Sequence, residues 1–246
     1  MSASSTLQVV RSGLFGAVFF TTIPIFAMAT VLCFPFPVHV RYAVATRWAR
    51  LNLWWLKYSC GLTYRVSGRE NIPKDTAIIF SKHQSTWETL ALQEIFPPQV
   101  WVLKRELLRI PFFGWGLAMV GAIGIDRKAG RKAVDQLVTQ GRQRLESGRW
   151  VVVFPEGTRV APGARGRYRI GGAVLAERTG HAIVPVAHNA GEYWPARGFR
   201  MRPGEIQVVI GPPIHSAGRS AAAILKEAES WIEGTMAQIS APRPVE

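Results

Sequence analysis

The sequence predicts an α/β fold: a central, mostly parallel sheet covered by helices, preceded by a membrane-embedded helical anchor. Three observations carry that expectation. After position 61, short runs rich in Val, Ile and Leu recur between Gly, Pro and polar residues, the pattern of strands buried on both faces. Segments of helical periodicity lie between them, and strand–helix alternation argues for parallel strands joined by crossovers. Ahead of both, residues 13–38 contain no charged side chain, enough for a helix of about 39 Å at about 1.5 Å per residue.

The charge-free run admits three arrangements. A bilayer is crossed by about 20 apolar residues, so the run can span one. Pro24 in its middle, with Pro35 and Pro37 at its end, also suits two short helical halves held in one leaflet. Ala27-Met28-Ala29 imitates a signal cleavage site, although the apolar run continues beyond it. Residues 41–57 follow, with Trp48, Leu51, Trp54, Trp55 and Tyr58 interleaved with or flanking Arg47, Arg50 and Lys57. Such a helix belongs at the headgroup level; an amphipathic core helix is the alternative. No acid precedes Glu70, whereas Arg11, Arg41, Arg47, Arg50, Lys57, Arg65 and Arg69 do. If the run spans, that excess of positive charge after it places the main domain at the cytoplasmic face of the cell (inner) membrane. The expected organisation is an anchor over 1–60, an α/β domain over 61–240 and a tail over 241–246.

Within the α/β domain, strands are expected at 62–66, 76–80, 100–103, 120–125, 150–154, 183–187 and 206–210. Helices are expected at 86–95, 131–146, 172–179 and 221–239. In the second of these, Val134, Leu137, Val138 and Leu145 form one apolar face. Thirty Lys and Arg against sixteen Asp and Glu give a formal charge of +14 in 246 residues. That charge suits nucleic acid, an anionic membrane, or a phosphate-bearing or acidic carrier substrate. Cys33 and Cys60 have neither disulfide-framework nor metal-ligand spacing, which fits a reducing compartment.

Four stretches carry chemistry, each at a strand end. His83 follows the apolar run 77–80, and Glu88 stands five residues on; a His oriented by a carboxylate is the general-base half of a triad. Lys104 closes the strand 100–103, where a cation either caps it in solvent or meets a phosphate. The run 121–127 ends on Asp126 and Arg127, which suits a helix cap and ion pair as well as a ligand. Phe154-Pro155-Glu156-Gly157-Thr158-Arg159 places a Gly turn with Glu and Arg after the most continuous apolar strand; glycine admits close approach and Arg grips phosphate bidentately. Arg165, Arg167 and Arg169 form a basic loop, read either as a solvated loop or as a contact for an anion.

In that order, His83-x-x-x-x-Glu88, residues 121–127, the block 154–159 and Val184-Pro185-Val186 resemble the glycerolipid acyltransferases. The chain is most similar to the bacterial 1-acylglycerol-3-phosphate (lysophosphatidic acid) acyltransferase family, over residues 62–213. Lys104-Arg105-Glu106-Leu107 and Ile110-Pro111-Phe112-Phe113-Gly114 add to the likeness. The resemblance implies the glycerolipid acyltransferase fold over 61–240 and acyl transfer from acyl-CoA or acyl carrier protein to lysophosphatidic acid. The product is phosphatidic acid, made in phospholipid biosynthesis. The lipid hydroxyl is then the nucleophile, His83 its base, and Glu88 the group that orients His83. Lys104, Arg127, Glu156, Gly157, Thr158 and Arg159 bind the acceptor's phosphate and glycerol, and the Gly157 turn offers oxyanion donors. Neither cofactor nor metal is required. The expected partners are the two substrates and anionic membrane lipids, with no nucleic acid. Other acceptors (glycerol 3-phosphate, a lysophospholipid, a lyso-ornithine lipid) stay open. A serine hydrolase using Ser81 or Ser85 lacks the Gly-x-Ser-x-Gly elbow, and a basic membrane- or nucleic-acid-binding module leaves the block 154–159 without a role. One departure stands out: Glu88 occupies the place of the family's usual Asp.

Overall fold

Seven strands build one sheet: β1 (Leu62–Ser67), β2 (Ile78–Ser81), β3 (Gln99–Lys104), β4 (Ile123–Ile125), β5 (Trp150–Val153), β6 (Ile183–His188) and β7 (Gly204–Ile210). Their spatial order is β1-β7-β6-β2-β5-β3-β4. The computed structural model describes residues 3–240, and the tail expected at 241–246 lies outside them. Every neighbouring pair described is parallel except β6 with β7. The five strands from β6 to β4 therefore run one way, and β7 and β1 run the other. Strands β2, β5 and β6 are buried throughout, as strands covered on both faces must be.

The helices described are α1 (Ala3–Leu32), α2 (Val38–Cys60), α3 (Trp87–Ile95), α4 (Phe113–Met119), α5 (Arg131–Glu146), α6 (Gly171–Thr179), α7 (Ala190–Tyr193) and α8 (Ala221–Ile239). Strand alternation sorts the core into two layers. Ile79, Trp101, Val152 and Val184 pack with α1, α2 and α3 on one face. Ile78, Val100, Val151 and Ile183 pack with α5, α6 and α8 on the other. Ser220 caps α8, its hydroxyl accepting from Ala223 N–H at 3.3 Å.

One expected strand is shorter than its apolar run. Residues 120–125 contribute only Ile123–Ile125, because the chain just before them forms α4 and the turn that closes it. Gly114 and Gly116 hide α4 in the sequence, since glycine disfavours helices by about 1 kcal/mol. Tertiary packing reverses that preference: a Cβ at Gly116 would come within 3.3 Å of Ala27 on α1. The bare glycine lets the two helices touch.

The first sixty residues fold as a helical hairpin. Pro24 does not split α1 into two halves; the helix runs through it. A proline inside a helix costs about 3 kcal/mol, and packing along the helix offsets it. Trp48 Nε1 donates to Thr22 Oγ1 at 3.0 Å, Trp55 Nε1 to Leu14 O at 3.3 Å, and Cys60 Sγ lies 3.7 Å from Arg11 O. As numbers rise on α1 they fall on α2, so the helices are antiparallel. The hairpin is also fastened to the sheet domain. Phe15 and Phe19 pack edge-on against Trp194, each burial contributing about 1.5–3 kcal/mol, and Ser12 Oγ accepts from Met201 N–H at 2.9 Å. Gly61, at φ 66, turns α2 into β1.

The residues Thr6–Leu32 are long and apolar enough to cross a membrane, yet only 22% of their most apolar window is buried. Phe20, Ile25, Leu32, Phe34 and Phe36 are bare, and Trp54 and Tyr58 of α2 are exposed as well. Exposed apolar surface of that extent marks a surface for lipid or protein.

Candidate active site

The five co-directional strands bring their carboxyl ends to one edge, where open α/β sheets bind ligands. In spatial order that edge carries His188 (β6), His83 (beyond β2), the block 154–159 (beyond β5), Lys104 (β3) and Arg127 (beyond β4). Stretches separated by up to about a hundred residues become neighbours through the strand order alone.

His83 Nδ1 lies 2.7 Å from Glu88 Oε1. The same oxygen accepts the backbone N–H groups of Gln84 at 3.0 Å and Ser85 at 2.9 Å. The carboxylate sits in the first turn of α3 and is fully buried, so the extra methylene relative to Asp folds back over its own loop. Burial raises the Glu88 pKa, but the hydrogen bonds from His83 and the Ser85 amide oppose it, and the carboxyl is held below its ordinary value. An ionised carboxylate on Nδ1 requires Nδ1–H and leaves Nε2 as the acceptor. No described residue hydrogen-bonds Nε2. The ring is stacked on Phe154, centroids 4.0 Å apart, and Phe154 in turn on Trp101 at 5.9 Å.

Among the described residues no side-chain hydroxyl is hydrogen-bonded to His83. Ser81 Oγ donates to Lys82 O, and Ser85 Oγ accepts from Trp87 N–H. Both are occupied, and neither is bonded to His83.

The block 154–159 makes a turn about Gly157, whose φ of +70° few other residues adopt. Its own N–H is engaged by Phe154 O at 3.0 Å, and Val160 N–H by His83 O at 2.8 Å. Within the turn the Gly157 amide is thus occupied, while the amides of Thr158 and Arg159 donate to no described backbone carbonyl. Arg127 reaches this turn and donates to Gly157 O. Thr158 and Arg159 are exposed. Lys104 is half-exposed and 3.6 Å from Glu106, a surface pair worth little by itself. Asp126 takes the non-ligand role, accepting from Lys128 N–H at 3.0 Å and pairing with Arg105 at 3.1 Å. The three loop arginines separate: Arg165 pairs with Glu229 of α8 at 2.7 Å, while Arg167 and Arg169 pair with no described acid.

Glu156, expected to orient the cations or a glycerol hydroxyl of the acceptor pocket, is engaged by a cation behind it. Its carboxylate points inward, 3.0 Å from the ammonium of Lys82, with both side chains buried. The contact is ionic without the alignment of a hydrogen bond. Lys82 also binds Glu233 of α8 at 2.8 Å, and Tyr168 OH donates to the same Glu233 oxygen at 2.8 Å. Sequence reasoning missed Lys82, although it adjoins His83, because a Lys at a strand end reads as solvated and Glu233 lies 151 residues away. His188 was missed likewise. Burial pushes its pKa down, so the neutral ring donates from Nε2 to Lys82 O at 2.8 Å and fixes the backbone just ahead of His83.

A family model described as Acyltransferase matches residues 63–189. The chain is 44% identical, over 241 residues, to a 1-acyl-sn-glycerol-3-phosphate acyltransferase of Pseudomonas aeruginosa, covering 96% of this chain and 94% of that one. It is 30% identical over 226 residues to a chloroplastic 1-acyl-sn-glycerol-3-phosphate acyltransferase of Arabidopsis thaliana, spanning 89% of this chain and 61% of the relative. The crystal structure of the 1-acyl-sn-glycerophosphate acyltransferase from Thermotoga maritima superposes with a TM-score of 0.75 over 97% of this chain and all of that one. At 20% identity, that likeness is one of fold.

Proposed function

The chain belongs to the acyltransferase family, and from that premise we propose that it acylates the free hydroxyl of 1-acyl-sn-glycerol 3-phosphate to give phosphatidic acid. The observation that carries this reading is a His83–Glu88 pair with a free Nε2 and no protein nucleophile bonded to it. The substrate hydroxyl then serves as the nucleophile. It gives its proton to His83 Nε2 while its oxygen attacks the thioester carbonyl carbon of acyl-CoA or acyl carrier protein. The C–O bond forms, the C–S bond breaks, and the proton passes from His83 to the departing thiolate. Glu88 holds the Nδ1–H tautomer and stabilises the imidazolium. Lys104 and Arg159, on neighbouring strand ends, take the acceptor phosphate with Arg127 beside them, and Thr158 offers its hydroxyl and N–H.

The bare hairpin supports attachment to a membrane, where a lipid acceptor resides. Its Arg and Lys residues favour anionic lipid and the cytoplasmic face. An apolar cavity of about 80 Å³ between the hairpin and α4, lined by Phe26, Trp48, Trp101 and Leu117, suits part of an acyl chain. It lies one ring from Phe154.

Acyl transfer from labelled acyl-CoA, with the full chain in detergent, tests the reading. Phosphatidic acid should form from lysophosphatidic acid in preference to products of glycerol 3-phosphate or lysophosphatidylcholine. No transfer to lysophosphatidic acid from several donors would sink it. In the same assay, Glu88→Gln keeps an acceptor for Nδ1–H but loses the charge opposite the imidazolium. A drop in kcat of about 10²-fold or more is expected, with a smaller loss for Glu88→Asp, whose shorter arm keeps the charge. Near wild-type turnover in Glu88→Gln would remove the orienting role.

A further inference from the structure

A second cavity borders the acceptor site, sharing Arg127 and Gly157 with it, and extends beyond them to residues not yet given a role. It measures about 410 Å³ and lies between α5 and α6, on the sheet face opposite the hairpin. Ligand sites occupy this size range. Val102, Val134 and Leu137 give it an apolar floor, and Arg127, Arg167 and Arg169 are its cations. Phe154, whose ring is stacked on His83, lines it too, so its inner end reaches the catalytic edge.

The cations are crowded, with only the field of Glu106 opposing the charge of Arg169 at Arg127. Arg127 is bonded to Gly157 O, and Arg169 lies against the same turn, its Nε within 2.9 Å of where a Gly157 Cβ would stand. Burial and the charge of Arg169 both push the Arg127 pKa down. Among the described residues no acid pairs with Arg127, Arg167 or Arg169, whereas Arg65, Arg105, Arg165, Arg178 and Arg219 each have one. Like charges held together raise the free energy of the empty site, and a bidentate anion lowers it again. The floor, by contrast, asks for an apolar body between that anion and His83.

The two cavities also lie on opposite faces of the sheet. The apolar one adjoins the hairpin. The basic one lies on the other face, among α5 and α6. We propose that the basic cavity takes the phosphorylated pantetheine arm common to acyl-CoA and acyl carrier protein, its phosphate on Arg167 and Arg169 and its thioester toward His83. This rests on the acyl-transfer reading above and names the donor's place in it.

The test is the full-length R167Q/R169Q double variant, whose two exposed side chains leave the core untouched. Donor KM should rise by about tenfold or more, the loss of a charge-assisted phosphate contact. It should rise alike for acyl-CoA and for acyl carrier protein, with acceptor KM and kcat near wild type. A rise in acceptor KM alone, or a donor effect confined to one of the two donors, overturns the assignment. Direct titration of 4′-phosphopantetheine separates this from failure of the enzymatic reading. Wild type should bind it and the double variant should bind about tenfold more weakly; absence of binding to wild type, or equal affinities, overturns the site whatever the turnover. Absence of wild-type acyl transfer alongside normal binding overturns the acyltransferase reading instead.

Discussion

Replacing His83 with Ala is expected to lower kcat for acyl transfer by about 10²–10⁴-fold, the range a positioned general base contributes. The melting temperature should stay close to that of wild type. His83 is partly exposed at a strand end, and its imidazole bears on the fold only through Glu88 and the Phe154 ring. Glu88 keeps its two backbone donors when the ring is removed, so the loop geometry survives. Initial rates with labelled donor, paired with thermal melts, decide the matter. Retention of more than about a tenth of the wild-type rate would place the base elsewhere.

The second large effect is on stability. Lys82→Met should cost about 3–5 kcal/mol at pH 8, because it strands the buried carboxylate of Glu156 and the largely buried one of Glu233 without their cation. The loss has a direction in pH. Burial, with Glu233 adding to it and Lys82 opposing it, raises the Glu156 carboxyl from 4.5 to about 7. Between these values the native state holds a proton that the unfolded chain has released, so this group's contribution to stability falls as pH rises through the window. Removing Lys82 takes away an influence that lowers the Glu156 value, so protonation relieves the variant further. Lys82→Met should therefore be destabilised less at pH 5.5 than at pH 8, and Glu156→Gln should flatten the wild-type slope. Urea unfolding at the two pH values measures both. A pH-independent cost for Lys82→Met would show that lost packing, not stranded charge, sets the effect.

This cluster sits behind the chemistry. Lys82 is joined through the backbone to His83, Glu156 to Gly157, and Glu233 lies on the last helix. One ammonium thus ties the His83 loop, the Gly157 turn and the carboxyl-terminal helix together, which gives Glu156 a structural reason for standing in its block.

Much of the fold was legible because its signals are local. Apolar runs after position 61 mark the strands, and α5 and α8 begin and end where their periodicity does. The His83–Glu88 pair was legible too, since five residues and one helix start place both groups in a single loop. What escaped is what depends on distant partners. Helix α4 forms despite two glycines because α1 packs on it, and α1 runs through Pro24 because Trp48, Trp55 and Trp194 hold it.

The sequence by itself determined where the strands lie along the chain, the charge-free N-terminal run, the placing of His83 and Glu88 in one loop, and the excess of cations. Each of these follows from residue type at short spacing. The tertiary structure alone decided which cations remain free and which are consumed. Lys82 and Arg165 are paired by α8, while Arg167 and Arg169 are left open beside Arg127. An ion pair acts over a few ångströms of space, and only the folded strand order says which charges lie within that reach.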